Sequence, residues 1–380
     1  MALSKPKLLI FIEYYLPGYK FGGPTQSVAN LVALLKDRYD IYVVTRDRDY
    51  GDQQPYTTIR PDEWLNQNGY QIIYLSPART GIRDIHRIIR SQSFAFIYTN
   101  SLFAGFSRQL LLLTVFPRQR IIVAPRGELH TGALRLKAYK KLPFVYLVKL
   151  LPASVIVWHA TDEEEVNSIK RVFPQATVRL AGVNVAPVSS AGSRKLQGND
   201  KEAGRLKLVF VSRLTTKKNL KFLLERLRTV TEGVVELDIY GPIVDIPYWH
   251  ECEDVIRELP AHCLVTYKGT LSHDRVADVL SRYDFFVLPT LGENFGHAIF
   301  EALSAGLPVL LSDQTPWRNL ESRQAGWDLP LQAQSWTETL KNCIAMGSEQ
   351  YLAWSEQAEQ VAREYVREEA FEEKYRALFS

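Results

Sequence analysis

Short apolar runs recur along the chain, and each is followed by a segment whose apolar positions return every three or four residues. In the first half the runs are Lys7 to Ile12, Asp40 to Thr45, Gln71 to Ser76, Phe94 to Asn100, Arg120 to Pro125 and Ser154 to Ala160. Several are apolar at successive positions, which suits strands buried on both faces of a parallel sheet. After the first run, Val28, Leu31, Val32 and Leu35 keep helical spacing. The alternation predicts parallel sheets covered by helices on both sides. From about Val185 to Gly204 the pattern stops, and VAPVSSAGSRKLQGNDKEAG is polar and turn-forming, as a linker is. It resumes with Leu206 to Ser212, Val235 to Gly241, Leu264 to Gly269, Asp284 to Thr290 and Leu307 to Asp313. The last segment, Trp354 to Phe379, reads as one long charged helix able to lie across both halves.

The expected class is therefore α/β with two doubly wound, Rossmann-like domains. They cover residues 1–184 and 206–355, joined by a linker over 185–205, with a C-terminal helix over 356–380 returning to the N-terminal domain. A chain of 380 residues is long enough for two such cores. Hydrophobic residues make up 46% and charged residues 23%, which is ordinary globular usage and gives no sign of disorder. A net charge of +4 with both signs interspersed does not point to nucleic acid. Cys252, Cys263 and Cys343 are spread apart, which predicts free thiols in a reducing compartment. The first apolar run is closed by Glu13, unlike a secretory leader, and no apolar stretch reaches the roughly 18 residues of a membrane span, so a soluble, cytosolic chain is expected.

Four segments carry candidate chemistry. In ENFGHAIFEALSAGLP, Glu293 and Glu301 bracket a loop that runs into a short helix. A continuous helix would set the two carboxylates about 12 Å apart along its axis, roughly the reach from a sugar ring to a ribose across a diphosphate. Asn294 to His297 would then form the helix start, whose amides suit anions and hydroxyls, and Gly296 allows close approach to the backbone. The loop Gly22-Gly23-Pro24-Thr25 opens the first helix and can present backbone donors to a phosphate. In RLTTKKNLKFLLERL, Arg213 and Lys218 flank the turn after a strand, where open α/β sheets bind ligands. In APRGELH, Arg126, Glu128 and His130 follow another strand, where acceptor chemistry would sit.

Downstream of His130, the residues Arg135, Lys137, Lys140, Lys141 and Lys149 lie among apolar ones, a basic amphipathic pattern that suits a solvated face or contact with an anionic membrane. Asp47 and Asp49 fall in the charged stretch RDRDYGDQ and are expected to face solvent. His86, His159, His250, His262 and His273 show no metal spacing. Neither GxGxxG nor GxxxxGK[ST] occurs.

Taken together, the Gly22-Gly23 loop, VSRLTTKKNL, YKGTLSHDRVADVLSRYDFFVLPT and GENFGHAIFEALSAGLPVLLSD resemble the retaining glycosyltransferases of family 4, in that order along the chain. The resemblance implies the GT-B architecture, two Rossmann-like domains facing a cleft. It implies that Arg213 and Lys218 clamp a donor diphosphate beside Gly22 and Gly23, and that Glu293 contacts the donor sugar and Glu301 the ribose. The backbone of Asn294, Phe295 and Gly296 would approach the donor, and the segment from Gly269 to Leu271 would lie against the base. Many relatives carry a His where this chain has APRGEL, which leaves the acceptor side to Arg126, Glu128 or His130. Asn219 replaces a common Gly, and Asn tolerates the unusual backbone angles a Gly supplies there.

The function expected on this basis is metal-independent, retaining transfer of a hexose-type sugar from a UDP- or GDP-type donor to a hydroxyl of a glycan or lipid-linked glycan. Bacterial polysaccharide or cell-envelope synthesis is the expected setting, with no separate cofactor, no nucleic acid, and peripheral contact with the inner face of the membrane among the expected partners. The rival readings are an epimerase or phosphorylase of the same fold, and a non-catalytic donor-binding subunit.

Overall fold

The structure is a computed structural model that describes residues 5–113, 120–135, 137–185, 188 and 201–380. It divides into two compact units, Met1–Ala186 with Glu369–Ser380, and Pro187–Glu368. Of the linker expected over 185–205, residues 186, 187 and 189–200 lie outside the described residues.

Among the described residues the N-terminal unit has eight strands: β1 (Lys7–Phe11), β2 (Asp40–Arg46), β3 (Trp64–Gln67), β4 (Tyr70–Leu75), β5 (Phe96–Asn100), β6 (Ile121–Ala124), β7 (Ile156–Ala160) and β8 (Thr177–Leu180). Their order in the sheet is β3-β4-β2-β1-β5-β6-β7-β8. All neighbours are parallel except β3 and β4. That pair turns through Asn68 and Gly69, both at positive φ (44° and 92°), as a tight hairpin demands. Leu8, Leu9, Ile10 and Phe11 are wholly buried, with side chains on both faces of the sheet. The helix Gly23–Leu35 turns Val28, Leu31, Val32 and Leu35 inward, the stripe its spacing predicts.

In the C-terminal unit the strands are β9 (Arg205–Val211), β10 (Val234–Tyr240), β11 (Cys263–Tyr267), β12 (Phe285–Leu288), β13 (Val309–Ser312) and β14 (Gly326–Leu329). They form a wholly parallel sheet in the order β11-β10-β9-β12-β13-β14. The helix Leu220–Leu227 seats Leu220, Leu223, Leu224 and Leu227 in the core. Cys252, Cys263 and Cys343 are free and buried. Among the described residues no helix is long and apolar enough to cross a membrane.

The single helix expected from Trp354 to Phe379 is two helices, Ser348–Glu369 and Phe371–Leu378, separated by Ala370 in a left-handed conformation (φ 42°). Only the shorter helix joins the N-terminal unit. There the Tyr375 hydroxyl donates to the Gly182 carbonyl at 2.9 Å, and the Phe379 ring lies 5.7 Å from those of Tyr39 and Phe96.

Candidate functional site

The C-terminal sheet reverses direction between β9 and β12, because the chain builds outward from β9 to β11 and then returns to the other side for β12 to β14. Loops leaving the carboxyl ends of strands at such a reversal diverge, and ligands of open α/β sheets settle between them. The loop after β9 carries Arg213, Lys217 and Lys218 into the helix Leu220–Leu227; the loop after β12 carries Gly292 to Gly296 into the helix His297–Ser304. Asn219 takes the left-handed conformation (φ 59°) that lets the first loop enter its helix.

Backbone hydrogen bonds fasten the two loops to each other. The Lys217 carbonyl accepts from the Leu291 N–H at 2.8 Å and from the Thr290 hydroxyl at 3.2 Å. The Glu293 N–H donates to the Gln314 carbonyl at 2.9 Å. Glycine at 241 is required here, because a Cβ would stand 1.9 Å from the Ser212 carbonyl oxygen. The Gly241 N–H in turn donates to the Gly269 carbonyl at 2.8 Å, so the ends of β9, β10 and β11 are locked side by side.

These fastenings bring the Lys218 ammonium onto the Glu293 carboxylate, with the two side chains only 14% and 13% exposed. Burial, and then the charges of Arg213 and Lys217, lower the Lys218 pKa from its ordinary 10.5 to about 7; the Glu293 carboxylate in contact with it acts in the opposite sense. Lys217 is exposed as a residue, yet its Cε lies 3.6 Å from where a Cβ at Gly292 would sit. Burial of that end and the charge of Arg213 lower its pKa as well. Among the described residues, neither Arg213 nor Lys217 has a carboxylate ion-pair partner. Three cations are thus gathered about one carboxylate, an arrangement that an anion would complete.

The helix at Glu301 begins at His297, after Gly296 in the left-handed region (φ 83°). Residues 293 to 296 are therefore not helical, and the separation of about 12 Å expected for a continuous helix does not apply. The reason is local, since Gly296 reverses the chain before the helix starts. Phe295 is buried, its ring 5.3 Å from Tyr365 and 5.5 Å from Trp317, and its carbonyl accepts the Trp317 indole N–H at 2.7 Å. The Phe295 ring thus anchors the loop from below, beside Asn294 and Gly296. Glu301 lies with its Oε1 3.4 Å from His273 Nδ1, and this bond raises the His273 pKa. Leu271, half-buried, precedes His273 on the same loop after β11.

In the N-terminal unit, Gly22 (φ 76°) caps the helix Gly23–Leu35, with nothing within 4 Å of where its Cβ would be. Asp49 holds the approach to this loop: one carboxylate oxygen accepts the N–H of Tyr19 at 2.8 Å and of Lys20 at 3.0 Å. Asp47 and Asp49, expected in solvent, are each only 4% exposed. Asp49 is held inside by the backbone donors it accepts from, and Asp47 by its pair with Arg48 at 2.8 Å.

Arg126, Glu128 and His130 likewise point into their own unit. Arg126 (φ 54°) donates from Nε to the Asn100 side chain and from a terminal nitrogen to the Tyr98 hydroxyl, both at 2.9 Å. Glu128 accepts from the Ser101 hydroxyl and the Leu102 N–H, each at 2.6 Å, and burial raises its pKa. His130 Nδ1 is 3.0 Å from the Ser168 hydroxyl. The three brace the loops that follow β5 and β6.

Two further residues carry no signal in the sequence: Lys217 in the cation cluster, and His273, which pairs with Glu301. Lys217 stands next to Lys218 and is distinguishable only once its carbonyl is seen to hold the second loop. His273 gains its meaning from Glu301, which no local spacing connects to it.

Residues 205–345, which contain this whole cluster, match the family described as glycosyl transferases group 1. The match runs from β9 to the helix Ala333–Ala345. The sulfoquinovosyl transferase SQD2 of Arabidopsis thaliana is 32% identical to the chain over 103 residues, which is 27% of this chain and 18% of that protein. The GtfA subunit of the UDP-N-acetylglucosamine–peptide N-acetylglucosaminyltransferase of Streptococcus pneumoniae is 25% identical over 194 residues, 49% of this chain and 36% of that protein. The chain thus spans well under half the length of these relatives. Anabaena Alr3699/HepE, solved with UDP-glucose, matches in fold over 98% of this chain and 99% of its own, with a TM-score of 0.72 at 15% identity. The chain therefore has the fold of that structure, GT-B.

Proposed function

We propose that the chain moves a hexose-type sugar from a nucleoside diphosphate donor of UDP or GDP type to a hydroxyl of a glycan or lipid-linked glycan, with retention at the anomeric carbon. The observation that carries this reading is the cluster of Arg213, Lys217 and Lys218 around the single carboxylate of Glu293, at the reversal of the sheet in the family domain. As the sugar leaves, negative charge accumulates on the diphosphate, and preorganised cations in a partly dry site stabilise that state more than the ground state. Arg213 and Lys218 take this role in place of a metal ion, with Lys217 beside them.

Glu293 receives the donor sugar hydroxyls next to Lys218. Glu301 accepts the ribose hydroxyls, since an ionised carboxylate offers only acceptors, and His273 orients it. The backbone of Asn294, Phe295 and Gly296 lines the donor, Leu271 and Gly269 flank the base, and Gly22 and Gly23 offer amides to phosphate. Arg126, Glu128 and His130 act on the acceptor side by shaping loops. Bacterial polysaccharide or cell-envelope glycan synthesis in the cytoplasm is the setting that fits these assignments.

The test is to incubate the protein with UDP, GDP and ADP sugars and candidate acceptors and to read the product anomer by proton NMR. A product with the donor's anomeric configuration is expected. An inverted product would end the retaining reading, and an epimerised donor or phosphate-dependent cleavage would favour the rival activities. Glu301→Ala is expected to raise the donor KM about tenfold or more with kcat little changed, because ribose contacts serve ground state and transition state alike. An equal fall in kcat would place Glu301 at the reacting centre instead.

A further inference from the structure

The helix Ala138–Lys149 is apolar on both sides. Its inner side seats Val145 and Val148 in the core, with Phe144 partly buried beside them. On its outer side Tyr139 is 73% exposed, Tyr146 66%, and Leu150, which closes the helix, 80%. With Pro143 these fall at i, i+4, i+7 and i+11, a single stripe along the axis, and the exposed Leu142 and Leu147 widen it on either side. The basic amphipathic pattern expected from the sequence is thus altered: the centre of the solvent face is aromatic and aliphatic, and the lysines stand at its margins. Single exposed apolar residues are ordinary, whereas a contiguous stripe on one helix marks an interaction surface.

Charge selects the partner. From Leu129 to Thr161 the sequence contains Arg135, Lys137, Lys140, Lys141 and Lys149 and no Asp or Glu. Lys141 is spent internally, donating to the Ala133 carbonyl at 2.6 Å and lying over the Phe103 ring. Arg135, Lys137, Lys140 and Lys149 are exposed. The ammonium groups of Lys140 and Lys149 sit 5.6 Å from the ring centres of Tyr139 and Tyr146, so the cations are held at the level of the aromatic edge. Tyrosines with an apolar body and a polar tip, flanked by long cationic side chains, suit the boundary between lipid headgroups and acyl chains. A second copy of the chain would set the same lysines against each other with no acid to pair them.

We propose that this face docks on a bilayer surface bearing anionic phospholipid, with the helix lying in the plane of the interface and Tyr139, Tyr146 and Leu150 inserted between headgroups. The proposal does not depend on the transferase reading.

The experiment is flotation of the full-length protein with phosphatidylcholine vesicles, with and without about one third phosphatidylglycerol, at low and high salt. Capture by the anionic vesicles is expected, weakening with salt because surface charge is screened. Neutral vesicles should bind at least tenfold more weakly. The variant Tyr139→Ser/Tyr146→Ser/Leu150→Ser should lose binding at an unchanged melting temperature, and Lys140→Glu/Lys149→Glu should lose at least about fivefold per lysine. As a second readout, Tyr146→Trp should shift its emission to the blue on anionic vesicles. Failure of the wild-type protein to bind anionic vesicles would overturn the proposal, as would binding unaffected by both sets of substitutions. A dimer in light scattering that the serine variant dissolves, without vesicle binding by the wild type, would assign the face to a second copy instead.

Discussion

Arg213→Ala is expected to lower the rate of sugar transfer by about 10²–10³ while leaving the melting temperature unchanged, the loss typical of removing one preorganised group that stabilises developing charge. Among the described residues Arg213 has no carboxylate partner, so its removal strands no opposite charge. Lys218→Ala should cost as much in rate but behave differently in stability. The substitution leaves Glu293 mostly buried without the ammonium it touches, at about 3 kcal/mol of folding free energy. Lys218→Ala combined with Glu293→Gln should recover much of that stability and none of the activity. Steady-state kinetics and thermal melting on the same preparations separate the two effects. Near-normal transfer by Arg213→Ala would remove the diphosphate clamp from the account.

Gly241→Ala is expected to destabilise the C-terminal unit by about 3 kcal/mol, because it combines backbone strain with a steric clash. Gly241 sits at φ 137°, and an added Cβ would lie 1.9 Å from the Ser212 carbonyl oxygen and 2.6 Å from its carbon. Neither atom belongs to a flexible side chain, so the strand ends that carry Arg213 would have to part. Gly269→Ala is the matched control: φ is 80°, with nothing within 4 Å of the added carbon, and the cost should fall to about 1 kcal/mol, the conformational term alone. Denaturant midpoints of the two variants measure the difference. Equal costs would mean that the contact at Ser212 relaxes freely.

What the sequence made legible follows burial. The central strands and the helices Gly23–Leu35 and Leu220–Leu227 are apolar where they meet the core, so their periodicity survives in the sequence. The strands that escaped, Trp64–Gln67, Thr177–Leu180 and Gly326–Leu329, are four residues long and lie at sheet edges, where one side needs no partner and the pattern weakens. At the candidate site, Arg213, Lys218 and Glu293 are readable because each lies on a loop that leaves a strand and enters a helix, and the structure places Lys218 against Glu293. The pairing of His273 with Glu301 was not readable, since it depends on how the loop after β11 meets a helix distant in sequence. The polar residues after β6 look like a site in sequence because Arg126 and Glu128 are rare in cores. Their contacts with Asn100, Tyr98 and the amide of Leu102 are pairings that only tertiary structure reveals, and one terminal nitrogen of Arg126 stays buried without a protein partner.

The central claim, that the cluster at β9 and β12 binds the diphosphate of a nucleotide sugar, is tested most directly by calorimetric titration with UDP, GDP and ADP in two buffers of different ionisation enthalpy. Lys218 is held at about 7 by burial and its cationic neighbours, and a bound diphosphate raises it again. At least one nucleoside diphosphate should therefore bind with uptake of a proton near pH 8, with uptake vanishing near pH 5.5, where Lys218 is already charged. Arg213→Ala should weaken that binding about 100-fold. No binding by any of the three, or equal binding by the wild type and Arg213→Ala, would contradict the account.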